Sequence, residues 1–144
     1  MSGELLQLHL FASIWMTAII WYVQLVHYPS FNAIDSESFC EFHAQHSRRT
    51  TLLVLVPMLV ELLSATSLVW ISASGASLAL GALTLLTWTL TFLISVPLHN
   101  RLAGGKDQEA IRRLIQSNWP RTLTWTLKLF LVYALQSGRA GIAP

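Results

Sequence analysis

The stretch from Thr51 to Ile71, TLLVLVPMLVELLSATSLVWI, is long enough to cross a bilayer and carries one acid, Glu61. At about 1.5 Å of rise per residue, Glu61 lies roughly 15 Å from the start of the stretch, near the middle of a hydrocarbon core about 30 Å thick. A charge at that depth costs about 3 kcal/mol or more, so the carboxyl must be protonated, paired, metal-bound or hydrated. An acid in that position is a functional candidate. Pro57, one turn earlier, removes a backbone donor, frees the Leu53 carbonyl and can kink the helix beside the acid. Lys128 lies about 12 Å into the last apolar stretch by the same rise, so the two are expected to pair at similar depth, directly or through water. Such a pair serves catalysis, proton relay or structure alone.

Four histidines are the second chemical feature. His27 ends the first apolar stretch, just before Pro29, and His99 ends the third, between Pro97 and Asn100. His43 and His46 stand at i and i+3, able to reach one ion from a single helix face. Chain direction gathers all four at one membrane side, where imidazoles can hold iron or copper or act as acids and bases. Arg121 is expected one or two turns from the Glu61 and Lys128 pair, beneath the histidines. Its planar fork suits an anionic oxygen, and with Asn118 it can stabilise an enolate-like charge. His9, five turns from His27, is expected near the opposite, outer surface.

These residues need a membrane bundle to position them. Apolar residues make up 53% of the 144 positions and charged residues 11%, and mean hydropathy is +0.53, which excludes an ordinary soluble domain. The pattern predicts an all-α chain: one integral membrane domain, 1–144, with spans at about 5–27, 51–71, 78–98 and 120–136. The first stretch is too long for a signal-peptide core and follows no basic leader, so it is expected as a mature helix. Ser13, Thr17, Ile20 and Gln24 share a face with His27, and Thr84, Trp88, Thr91 and Ser95 lead to His99; such stripes let membrane helices pack closely.

Two short amphipathic helices are expected in the longer connections. The first, SESFCEFHAQHSRR, is capped by Asp35 or Ser36 and turns Glu37, Glu41 and Gln45 to water while Phe39, Phe42, His43 and His46 face the bundle. Gly104 and Gly105 precede the second, DQEAIRRLIQSN, with Asp107 as cap, and Pro120 is expected in the first turn of the last span. Arg48, Arg49, Arg101, Lys106, Arg112, Arg113 and Arg121 cluster in or beside these connections, the Ser72 to Ser77 turn has no charge, and the termini add only Arg139. Both long connections are therefore expected in the cytoplasm and both termini outside, across a plasma (inner) membrane. Nothing suggests nucleic acid, since no basic stripe alternates with aromatics on a soluble surface. A single cysteine, Cys40, allows no internal disulfide.

The segments VHYPSF (26–31), FHAQH (42–46) with Arg48 and Arg49 after it, PMLVE (57–61), VPLHNRLAGG (96–105) and NWPRTLTW (118–125) resemble the small four-helix membrane proteins grouped with the anthrone oxygenases. The most specific part is Asn118, Trp119, Arg121, Thr122 and Trp125, and the resemblance runs from about residue 20 to 130. It implies a four-helix membrane fold and oxidation of an anthrone-like substrate by dioxygen, with no cofactor implied. Lys128 departs from it, standing where an arginine is expected.

Three functions fit. An oxidoreductase or oxygenase would take a lipophilic aromatic or quinone-like small molecule from the lipid bilayer. Its histidines would hold iron or copper, or act as bases alongside Glu61, with Trp15, Trp21, Trp88, Trp119 and Trp125 as pocket walls. An electron-transfer protein would bind haem b between His27 and His99. A small transporter or proton-conducting bundle would use Glu61 and Lys128 as its relay and would require a homo-oligomer.

Overall fold

The computed structural model describes residues 2–140, with the side chains of Ser2, Arg139 and Ala140 outside the description; the terminal cation Arg139 thus falls outside it. Among the described residues there is no strand. The first helical run comprises α1 (Ser2–Tyr22), a π-helical segment (Val23–His27), α2 (Tyr28–Ser30) and one 3₁₀ turn (Phe31–Ala33). There follow α3 (Phe39–Ile71), α4 (Gly75–Leu90), a second π-helical segment (Thr91–Ser95), α5 (Val96–Leu102) and α6 (Gln108–Ala140). Helix α1 packs against α3 and α6, and α4 packs against the same two, so α3 and α6 face each other across the diagonal of a four-helix bundle.

Three helical runs are long and apolar enough to cross a membrane: Gly3–Ala33, Phe39–Ile71 and Gly75–Leu102. Helix α6 is as long as α3, at 33 residues each, but it carries Arg112, Arg113, Arg121 and Lys128. The surface supports the same conclusion. Trp70 is 90% exposed, Leu93 72% and Leu52 71%, whereas Glu61, Lys128, His9 and Asn118 are fully buried. An apolar exterior around a polar interior is the build of a membrane protein.

The two short amphipathic helices do not exist as separate elements. Residues 39–50 begin α3 and residues 108–118 begin α6, each continuous with the span that follows. Nothing between Arg49 and Thr51 breaks the backbone ladder, so extending the helix adds one bond per residue with no new nucleation. The faces are nonetheless those expected: Phe39, His43 and His46 are buried, and so are Ile111 and Leu114, while Glu41, Gln45, Arg112 and Arg113 face outward. Pro120 lies inside α6 rather than in the first turn of a new helix.

Local caps explain the helix ends. The Ser38 amide donates to Asp35 Oδ1 at 2.8 Å, so Asp35 closes a turn; the N-cap of α3 is Ser38, without a side-chain cap bond, rather than the expected Asp35 or Ser36. The Ala110 amide donates to Asp107 Oδ1 at 3.0 Å. That bond and Arg101, whose Nε lies 2.6 Å from Asp107 Oδ2, hold the Asp107 carboxyl below the usual carboxylate range. Gly105 has φ +143, a conformation closed to L side chains without strain. Lys106 Nζ donates to the Asn32 and Ile34 carbonyls at 2.8 and 2.5 Å, joining the two long connections.

The π segments are the unexpected feature. Each stands the same distance before a proline, Val23–His27 before Pro29 and Thr91–Ser95 before Pro97. The Tyr28 amide reaches back to the Val23 carbonyl and the Val96 amide to that of Thr91, the wide i to i−5 bond. A proline has no N–H for its i−4 carbonyl and its ring crowds it; one wider turn relieves both effects. By this register His27 corresponds to Ser95 and His99 to Phe31.

Candidate active site

The first polar constellation lies in mid-bundle. Lys128 Nζ stands 2.7 Å from Glu61 Oε2, both side chains fully buried. The ammonium has no acceptor in good hydrogen-bond geometry, so the contact is mainly Coulombic. Directed bonds come from elsewhere: Ser13 Oγ donates to Glu61 Oε1 at 2.9 Å and Trp125 Nε1 to Oε2 at 3.0 Å. The pair expected from depth counting is therefore present, with two further donors completing the carboxylate's shell. One turn of α3 away, Ser64 Oγ bonds His9 Nδ1 at 2.9 Å. His9 is fully buried: α1 turns it inward on the Ser13 face, against α3.

Trp125 connects this constellation to the next. Its ring lies 5.4 Å from Lys128 Nζ and 5.4 Å from the Arg121 guanidinium carbon. Arg121 Nη1 donates to Ser95 Oγ at 2.8 Å and to Asn118 Oδ1 at 3.0 Å. Asn118 Nδ2 in turn donates to Gln24 Oε1 at 2.9 Å, and Gln24 Nε2 donates to the Ile115 carbonyl at 3.1 Å. Asn118 thus holds the guanidinium and does not reach the cavity described next.

That cavity, about 340 Å³, lies between α1, α3 and α5, with Arg121 of α6 among its lining. His43, His46, His99 and Tyr28 form its polar side, and Met16, Ile20, Val54 and Val96 contribute apolar wall. The tryptophans expected as walls do not line it. Trp21 and Trp119 instead pair edge to face at 5.8 Å, Trp15 donates to the Leu53 carbonyl, and aliphatic side chains take their place. Glu61 and Lys128 do not line the cavity either. A second groove of about 350 Å³ runs along the outer side of α1 and α3, lined by Tyr22, His27 and Leu53. It shares Ile19, Val23 and Thr50 with the inner cavity.

All four histidines meet at this end. His27 Nε2 lies 2.6 Å from His46 Nδ1, which also meets Thr50 Oγ1 at 3.0 Å. His43 Nε2 lies 3.0 Å from His99 Nδ1, and His99 Nε2 meets Tyr28 OH at 3.1 Å. Each nitrogen–nitrogen contact needs one N–H and one lone pair, so the pairs as they stand hold neutral or singly protonated imidazoles. Among the described residues no group of three or more histidine, cysteine or acidic side chains is placed to hold a metal ion. His46 stands near both His27 and His99, with ring centroids at 4.3 and 5.4 Å, taking the space that a haem between those two would need.

No family model, curated protein or solved structure matches this chain. Its site is therefore read from its own geometry. Tyr28 and Thr50 are the participants that motif spacing missed, and Gln24 and Ser95 were expected only in packing stripes. Tyr28 follows the first π turn, which advances it around the helix axis beyond where regular 3.6-residue counting puts it.

Proposed function

We propose that this protein is a membrane-embedded oxidoreductase of the oxygenase kind, acting on a lipophilic aromatic or quinone-like molecule that reaches the cavity from the bilayer. The observation that carries the proposal is the convergence of three histidines, Tyr28 and Arg121 on one mostly apolar cavity at the end of a membrane bundle. An apolar pocket with few convergent polar groups suits a lipophilic substrate bearing a polar oxygen. The scattered motifs shared with the anthrone oxygenases support the same class of substrate.

The chemistry follows from the lining. An activated methylene beside a phenol or ketone loses a proton to His43 or His99, whose pairing lets the proton be shared. The negative charge moves to the substrate oxygen, where Arg121 and the Tyr28 hydroxyl can hold it. The electron-rich carbon passes electrons to dioxygen and forms a carbon–oxygen bond. Loss of the second proton with cleavage of the oxygen–oxygen bond gives a ketone and water, so CH₂ plus O₂ yields C=O plus H₂O. Asn118 and Ser95 keep the guanidinium in place, and the Glu61 and Lys128 pair fixes Trp125 behind it. Both long connections face the cytoplasm in this proposal, by the cation count, and α6 is the fourth span.

The test is turnover of a lipophilic anthrone under ¹⁸O₂ by the purified protein in lipid nanodiscs. One ¹⁸O atom per quinone formed is the expected product, at a rate proportional to protein. Product formed at the rate of empty nanodiscs overturns the proposal.

A further inference from the structure

The lining of the cavity is buried on one side and open on the other. Met16, Ile20 and Val23 of the first helical run are buried, and His27 ties that run to α3 through His46 at 2.6 Å. The exposed residues of the lining are Ala44 and Thr51 of α3 and Val96, Asn100 and Ala103, in α5 or directly after it. Ala44, Ser47 and Thr51 fall at i, i+3 and i+7 on one face of α3, and Val96, Asn100 and Ala103 fall at i, i+4 and i+7 along α5. Small side chains at such spacing let membrane helices pack closely. Here the two stripes stay largely exposed, and the cavity opens between them.

We propose that this opening is a lateral mouth through which a lipophilic aromatic molecule passes between bilayer and cavity, and that Ala44, Thr51 and Ala103 set the width it admits. Thr51 and Val96 lie near the ends of the apolar stretches 51–71 and 78–98, and Ala44, Asn100 and Ala103 lie just beyond them. The mouth therefore straddles the boundary between hydrocarbon and headgroups, and a molecule held there enters without crossing water. Inside, Arg121 is 7% exposed and lines the same cavity, and its Nε has no partner among the described residues. A buried donor without an acceptor is costly, and a ligand oxygen relieves it. The molecule thus sits oxygen first, with its apolar substituents trailing toward the mouth. That narrows the substrate class to flat aromatic systems with an oxygen at the inner end and bulk only at the outer end. The outer groove along α1 and α3 is not the entrance, because buried Val23 and half-buried Ile19 and Thr50 stand between it and the cavity.

The mouth deepens the oxidative function proposed above and rests on it for the substrate, although not for the opening itself. The probe is an alkyl-substituted anthrone in nanodiscs, with thiol labelling as the readout. In a Cys40→Ser chain, Ala44→Cys and Thr51→Cys each place a thiol in the mouth, and Gln45→Cys and Leu52→Cys place one on a neighbouring exposed position outside the lining. Anthrone at about ten times its dissociation constant leaves about one mouth in eleven free. Labelling by a lipophilic maleimide should therefore slow about tenfold at positions 44 and 51 and keep its rate at 45 and 52. No slowing at 44 and 51, or equal slowing at all four positions, overturns the mouth.

Turnover separates this inference from the function it rests on. Once the thiol at position 51 carries a bulky maleimide, kcat/KM should fall at least about tenfold, while the labelled Leu52→Cys chain keeps its rate. All four positions are exposed, and an unfolding midpoint read before labelling identifies the variants that fold. Normal turnover in the fully labelled Thr51→Cys chain overturns the mouth and leaves the oxygenase. Protection at positions 44 and 51 without turnover leaves the mouth and overturns the oxygenase.

Discussion

Trp125 is the residue through which the two polar constellations communicate. Its indole N–H binds Glu61 and its ring contacts both Lys128 and Arg121, so a change at the mid-bundle acid is felt at the cavity. Glu61→Gln leaves the Lys128 charge buried without a counter-charge, and the expected loss is about 3 to 5 kcal/mol of stability. The double variant Glu61→Gln, Lys128→Met should recover most of it, because the orphaned charge is gone. Denaturation in detergent, read as a double-mutant cycle, measures this; additive losses would show that the contact contributes nothing. Glu61 and Lys128 were legible in the sequence because depth in a membrane is a count of residues. His9 was not, since counting turns gives position along the axis but not which neighbour fills the space beside it. Asn118 was legible as a polar partner of Arg121 but not as a group held out of the cavity, which depends on Gln24 meeting it from α1.

At the scale of elements, the two prolines and their π turns set the angular position of the site. Pro97→Ala restores an ordinary bonding pattern and allows the turn at Thr91–Ser95 to tighten, rotating His99 away from His43. The expected outcome is an unfolding midpoint unchanged or higher, since an interior proline costs about 3 kcal/mol, with turnover of a lipophilic anthrone reduced at least about tenfold. Unchanged turnover would separate the π turn from the site. The start of α6 makes a further prediction. The Asp107 carboxyl is held low in the folded state by the Ala110 amide and by Arg101, so its contribution is present above the unfolded carboxylate pKa and lost as pH falls through the folded one. Amide exchange at Ala110 and Ile111, corrected for the intrinsic rate, should therefore quicken in acid; in Asp107→Asn, which keeps an acceptor without a titrating group, it should not. Asp107 was legible as a cap from its residue type and place, whereas Asp35 closes a turn and Ser38 stands at the N-cap of α3. The merging of the short helices into α3 and α6 was not, because an amphipathic surface helix and the first turns of a long one share the same periodicity.

At the scale of the molecule, three apolar runs and a polar interior make a membrane bundle, and the cations of the two long connections argue for its orientation. Cys40 reports on that orientation: it is exposed, it is the one cysteine of the chain, and it lies in the first long connection. A membrane-impermeant maleimide should label it in inverted vesicles and leave it unlabelled in intact cells; the opposite pattern would reverse the topology. Three apolar runs and the gathering of the four histidines at one end of the bundle could be read from hydropathy and chain direction alone, because the bilayer restricts the choices. The diagonal pairing of α3 with α6 could not, since it depends on which helix packs against which.

The rate of oxygen uptake with a lipophilic anthrone shows whether oxidation occurs in the cavity bounded by the histidines and Arg121. Uptake should fall about 10²- to 10³-fold in Arg121→Gln and comparably in His99→Ala, with no change in Tyr133→Phe on the exposed face of α6. Uptake that survives both substitutions in folded protein would contradict it.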